Sequence, residues 1–150
     1  LEATPPFEAL PYVWGPMNEN KELSLQGCRM KITDNLWGAL IQLRSATASR
    51  LLWVDALAIN QTDLQERSDQ VRLMRDMYTK ATSTLVWLGE ERDHSQMAMS
   101  FLKRLEERGS QTEVISRVLR NGFEDPLFLA IECLYTQREY WTRLWVVQEI

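Results

Sequence analysis

The stretch Leu51–Gln61, read Leu-Leu-Trp-Val-Asp-Ala-Leu-Ala-Ile-Asn-Gln, constrains this chain more than any other. A continuous apolar run takes in an acid at Asp55 and then breaks into Asn60 and Gln61. A helical pattern follows directly, and after it comes a second apolar run, Leu85-Val86-Trp87-Leu88-Gly89. Short apolar runs bounded by turn residues and joined by a helix are the pattern of parallel strands covered on both faces. The spacing predicts a right-handed βαβ unit with strands over Leu51–Leu57 and Ser83–Gly89. Ligands of such sheets bind in the crevice beyond the carboxyl ends of the strands, where Asp55 and the Asn60-Gln61 pair are expected.

The flanking segments complete an α/β pattern. Phe7–Trp14 reads as a strand ended by Gly15-Pro16, and Pro11, which has no N–H to donate, predicts an edge or a bulge. Met17–Lys21 reads as a polar loop, and Leu23–Ile32 as a small hairpin turning at Gln26-Gly27. Thr33 or Asp34 caps a helix carrying Leu36, Leu40 and Leu43 at helical spacing. Thr62-Asp63-Leu64-Gln65 reads as a capping box opening a helix that presents Leu64, Val71, Met74, Tyr78 and Ala81 on one face. Further on, Asp93 opens an amphipathic helix with Met97, Phe101 and Leu105 in register, closing near Gly109. Val114–Leu119 is a short helical stretch. Asp125-Pro126 caps and starts a helix over the nearly all-apolar Leu127–Tyr135, which is expected to be buried. A last helix is expected over Glu139–Ile150.

Composition narrows the function classes. One hundred and fifty residues suit a single domain, 1–150, able to bury roughly two-thirds of its unfolded surface. A net charge of -4 and a pI near 5.1 argue against nucleic acid as a partner, since phosphate neutralisation needs a basic patch. Two distant cysteines and one histidine make no metal-ligand spacing, and no metal is expected. The cysteine usage fits a reducing, cytoplasmic setting. No apolar run reaches membrane-spanning length. The chain begins without methionine and stops inside an apolar helical pattern, so it reads as a piece of a longer protein. Gly-rich phosphate loops, a Walker lysine and a nucleophile elbow are absent, which weakens Rossmann oxidoreductase and triphosphatase readings.

Two acids are candidates for chemistry. Glu149 stands four residues after Trp145, so on a helix an indole sits one turn below a carboxylate. Partial desolvation raises a carboxyl pKa and suits acid/base or cation-stabilising work; the alternative is an exposed glutamate at the edge of a core helix. Asp55 either ends a buried strand and faces a cleft or caps a backbone turn, and Arg67 or Arg143 is available as its partner. Asn60 offers a polar contact to a ligand or makes an Asx turn. Arg143 follows Glu139 by four residues and equally fits a solvated ion pair. Most of the six tryptophans fit a core, with one or two free to stack on a planar ligand.

Five ordered blocks resemble the fungal heterokaryon incompatibility (HET) domain. They are Phe7-Glu-Ala-Leu-Pro-Tyr-Val-Trp-Gly15; Leu52-Trp-Val-Asp-Ala-Leu-Ala-Ile-Asn-Gln61; Glu66-Arg67 with Gln70-Val71, Met74, Tyr78 and Ala81; Val86-Trp-Leu-Gly89; and Arg143-Leu-Trp-Val-Val-Gln-Glu149. Pro11 stands where that family usually has serine and Ala58 where it usually has cysteine, so no role rests on a thiol there. The family is associated with nonself recognition and programmed cell death in filamentous fungi. It is also distantly similar to TIR (Toll/interleukin receptor) domains, which implies a TIR-like, flavodoxin-like parallel sheet flanked by helices, with a small N-terminal hairpin and a helical insertion before the last helix. In that comparison Tyr12–Gly15, Trp53–Asp55 and Val86–Gly89 resemble the ends of the first three strands. Arg143–Glu149 resembles the TIR motif in which a glutamate follows a tryptophan by four residues.

The resemblance implies that Glu149 is catalytic in NAD+ cleavage and that Tyr12, Trp14, Gly15, Asp55, Asn60, Arg143 and Trp145 contribute to NAD+ binding. It implies no permanently bound cofactor, with NAD+ as the substrate. Enzymatic TIR domains form their sites between neighbouring copies, so self-association with other HET domains is expected, together with an upstream recognition receptor or partner domain. The competing expectation is a non-enzymatic module that signals through homotypic contacts.

Overall fold

Phe7 to Tyr12 (Phe-Glu-Ala-Leu-Pro-Tyr) threads the middle of a small parallel sheet in the computed structural model, which describes residues 5–109 and 111–143. The chain divides into two compact units, Leu1–Gly89 with Arg143–Ile150, and Glu90–Thr142. In the first, strands β1 (Glu8–Ala9), β4 (Leu52–Trp53) and β5 (Ser83–Thr84) run parallel in the order β4-β1-β5. Glu8 pairs with Leu52 and Ser83, and Ala9 with Trp53 and Thr84. Main-chain bonds extend this register in both directions. Leu10 N–H donates to Trp53 O at 3.0 Å, Leu85 N–H to Ala9 O at 2.7 Å and Trp87 N–H to Pro11 O at 3.0 Å.

Pro11 therefore does not mark an edge. β1 is the central strand, and the missing N–H falls just past its regular ladder, beyond which one parallel bridge, Tyr12 to Trp87, continues the pairing. The strands are also shorter than the apolar runs that encode them. The expected strand over Leu51–Leu57 ends at Trp53, because Asp55 starts a one-turn helix, α2 (Asp55–Ala58), its Oδ1 accepting the Ala56 N–H at 2.7 Å.

Between β1 and β4 lie the hairpin strands β2 (Met17–Leu25) and β3 (Cys28–Thr33) and helix α1 (Asp34–Leu43). The residues expected as a loop at Met17–Lys21 belong to β2. Gln26 and Gly27 hold φ of 50° and 82°, the pair of positive values a tight two-residue hairpin turn needs. Thr33 Oγ1 caps α1 by accepting the Leu36 N–H at 3.2 Å. Helix α3 (Leu64–Lys80) is capped by Asp63 rather than Thr62, its carboxylate accepting the N–H groups of Gln65 and Glu66 at 2.9 and 3.0 Å.

Strand periodicity sorts the core into two faces. Leu10, Tyr12 and Val54 pack with Ile32, Leu36 and Ala39 on the α1 side, while Ala9 packs with Met74 and Tyr78 and, through Trp53, Val71 and Ala81, on the α3 side. Trp53 meets Tyr78 edge-to-face with ring centroids 5.3 Å apart. Leu64, expected on the buried face of α3, is instead exposed at its first turn.

One exposed pair clamps the start of the sheet. Arg50 Nε and Nη2 donate to the two Glu8 carboxylate oxygens at 2.7 and 2.8 Å, and this guanidinium holds the Glu8 carboxyl below its usual range. A carboxyl whose pKa falls on folding adds stability above its unfolded range and loses it as pH drops through the lowered value. Glu8→Gln should therefore flatten the acid limb of Tm against pH below about pH 5, with a small amplitude because the pair is exposed. Acid limbs of equal steepness in both proteins would contradict this.

The second unit is helical: α4 (Ser95–Arg108), α5 (Thr112–Asn121) and α6 (Pro126–Thr136). Phe101, Val118 and Leu127 form its centre, flanked by Leu105, Val114, Ile115, Phe128 and Ile131. Asp125 caps α6 through Leu127 N–H at 2.9 Å and accepts from Arg117 Nε at 3.1 Å. α4 begins at Ser95, not Asp93, since Asp93 and His94 both have positive φ. Its buried face takes Ala98 rather than Met97. α6 is buried along Leu127, Ala130 and Leu134 only, with Leu129 and Tyr135 exposed. Arg138, 2% exposed, donates to the carbonyls of Glu90 and Arg92 at 2.8 and 2.9 Å. The expected last helix begins as a 3-10 turn at Glu139–Thr142, and its remainder lies outside the described residues.

Candidate functional site

Parallel strands that start together also end together, so the segments leaving β1 and β4 open at one edge of the sheet. A cavity of about 510 Å³ lies there, lined by Val13, Trp14 and Gly15 after β1, by Asp55, Ile59 and Gln61 after β4, by Arg67, Val71 and Met74 of α3, and by Arg143. This is the carboxyl end of the strands, the place where open α/β sheets bind ligands. Its volume falls within the usual range for small-molecule pockets.

Asp55 is the centre of its polar wall. The side chain is 9% exposed, and its two oxygens accept the Trp14 indole N–H at 3.1 and 3.3 Å. Ala56 N–H donates to the same carboxylate, and Gln61 Nε2 donates to the Asp55 carbonyl at 3.4 Å. With its N–H engaged, Trp14 keeps its ring partly exposed at the cavity mouth. Gly15 turns the chain away with φ 66°, a conformation side-chain-bearing residues rarely adopt. Asp55 lines the cleft, but it neither ends the strand, which stops at Trp53, nor caps α2, whose N-cap is Val54.

Four of the expected binding residues thus meet in one cavity: Trp14, Gly15, Asp55 and Arg143. Tyr12 lies elsewhere. It is 1% exposed in the α1-side core, because strand alternation puts it on the same face as Leu10. Burial first, and then the Asp55 charge, push its phenol above the ordinary range, so its hydroxyl stays protonated. Asn60 is also outside the lining. Its Oδ1 accepts Thr62 N–H at 3.1 Å and the Thr62 hydroxyl at 2.7 Å, an Asx turn that joins α2 to α3. Glu149 and Trp145 lie outside the described residues.

The sequence reading passed over the apolar floor of Ile59, Val71 and Met74 and weighed Arg67 only as a partner for Asp55. The signal was there: Arg67, Val71 and Met74 stand at helical spacing on one face of α3. Among the described residues the lining brings together an indole, a carboxylate and two guanidinium groups beside the apolar side chains of Val13, Ile59, Val71 and Met74. Among the described residues no cluster of histidine, cysteine, aspartate or glutamate could hold a metal ion, and no helix is long and apolar enough to cross a membrane.

A family model described as Heterokaryon incompatibility protein (HET) matches residues 7–149. The chain belongs to the HET family. Heterokaryon incompatibility protein 6, OR allele, of Neurospora crassa is 32% identical over an alignment of 188 residues, covering 99% of this chain and 28% of that protein. This HET domain therefore spans less than a third of that relative's length. No solved structure matches it.

Proposed function

We propose that this HET domain hydrolyses NAD+ at the nicotinamide–ribose bond when copies cluster, and that this consumption of NAD+ drives an incompatibility cell death of fungal nonself recognition. The observation that carries the reading is the cavity at the carboxyl ends of the strands, where the buried Asp55 carboxylate and the Trp14 ring face the same space. The strand order supports it. In chain order the parallel strands stand second, first, third, the order with which flavodoxin-like sheets begin, and such sheets bind ligands beyond the carboxyl ends of their strands.

In the proposed reaction the C1′–N bond of the nicotinamide riboside breaks and its electron pair leaves with neutral nicotinamide, so no general acid is needed. The ribose carries oxocarbenium character, which the Glu149 carboxylate stabilises. Water adds to C1′ and releases a proton, giving ADP-ribose. Asp55 accepts a hydrogen bond from a ribose hydroxyl, and the Trp14 ring stacks on a base. Glu149 stands six residues after Arg143, a cavity residue, so chain length limits their separation to about 20 Å.

Paired expression in a fungal host tests the reading. The full-length protein and its Glu149→Ala variant are triggered in parallel, and viability and cellular NAD+ are followed. NAD+ should collapse before death in the first and persist, with survival, in the second. Equal toxicity with NAD+ undepleted in both would leave homotypic signalling as the function.

A further inference from the structure

We infer that Asn35, a half-buried residue of α1 outside the cavity lining, positions the Trp14 ring at the cavity mouth. Its carboxamide bonds two segments far apart on the chain. Oδ1 accepts the Trp87 indole N–H at 2.7 Å, and Nδ2 donates to the Val13 carbonyl at 2.6 Å. An indole nitrogen only donates and a carbonyl only accepts, so the side chain between them must do both in fixed directions. A carboxamide does this, whereas a carboxylate of the same size has no proton to donate.

The placement gives these bonds a consequence beyond stability. The Tyr12–Trp87 bridge pairs the segments leaving β1 and β5, and Val13 is the next residue. Asn35 carries that cross-link one residue further, from a helix rather than a strand. The peptide unit is planar, so holding the Val13 carbonyl also orients the Trp14 N–H and Cα of the same unit. Gly15 then turns away at φ 66°, and the Trp14 indole N–H reaches Asp55 at 3.1 Å. Trp14 is thus held at its peptide and at its ring edge, while 39% of the residue stays exposed beside the cavity. A ring restrained in this way loses less freedom when a planar group stacks on it. The inference rests on the NAD+ reading only for what stacks there.

Fluorotryptophan labelling of the full-length protein, read by fluorine NMR, tests the placement, with the Trp14 line assigned by its loss in Trp14→Phe. Asn35→Asp keeps an acceptor for Trp87 but puts a carboxylate against the Val13 carbonyl, and the Trp14 line should shift. Trp87→Phe removes the anchor on the other side and should also move that line, although Asn35 stands between the two tryptophans. It carries the test if Asn35→Asp melts too low to study. Calorimetry with a non-hydrolysable NAD+ analogue supplies the second readout. Asn35→Asp should weaken the analogue roughly fivefold, yet by less than about twofold in a Trp14→Ala background, where no ring is left to position. Full additivity in that cycle would put the effect of Asn35 outside Trp14 and overturn the inference. So would a Trp14 line unmoved in both variants. A Trp14 line that moves in a protein with no affinity for the analogue would support the positioning role while removing NAD+ as the ligand.

Discussion

Glu149→Gln is expected to lower nicotinamide release from NAD+ by roughly 10²- to 10³-fold. The substitution keeps the size of the side chain and removes its charge. Positive charge develops on the ribose only as the glycosidic bond breaks, so the lost interaction belongs to the transition state. kcat should therefore carry the loss while KM moves little. Steady-state kinetics on the clustered full-length protein, with circular dichroism as the folding control, measure both. A fall in kcat of less than about threefold would show that no carboxylate at this position supports the reaction.

Asp55→Ala is expected to cost about 2–3 kcal/mol of folding stability, a fall in Tm of roughly 5–10 °C. The buried carboxylate accepts the Trp14 indole N–H and the Ala56 N–H in α2, and alanine leaves both without that acceptor. Asp55→Asn keeps one acceptor oxygen and should lose only about 1 kcal/mol. The two variants separate structure from function: asparagine should fold near normally yet bind a ribose-bearing ligand more weakly. Thermal denaturation followed at the tryptophan band reads the first effect. An alanine variant melting with the wild type would mean that the Trp14–Asp55 contact carries no stability.

Much of the first unit could be read from its residues because local chemistry and tertiary packing agree there. Thr33 and Asp63 cap helices where caps were expected or one residue away, and Leu36, Met74 and Tyr78 face the core at helical spacing. The failures have local causes. Apolar runs report burial, and burial continues past the last ladder bond, so Leu51–Leu57 looked like a strand although Asp55 turns the chain into a helix. Met17–Lys21 is strand because the opposite arm of the hairpin supplies its partners, with Glu19 and Lys31 paired across it, and composition alone cannot show that. Pro11 looked like an edge marker because pairing order is a non-local property. At the site, the acid and the indole were legible as residue types. Their meeting depends on β1 and β4 being neighbours, which no spacing along the chain encodes.

The most direct test of NAD+ cleavage by this HET domain is nicotinamide release from NAD+ by the full-length protein, measured on the monomer and on a forced oligomer. The account predicts turnover that appears on oligomerisation and vanishes in Glu149→Gln. An oligomer that kills cells yet releases no nicotinamide would contradict it.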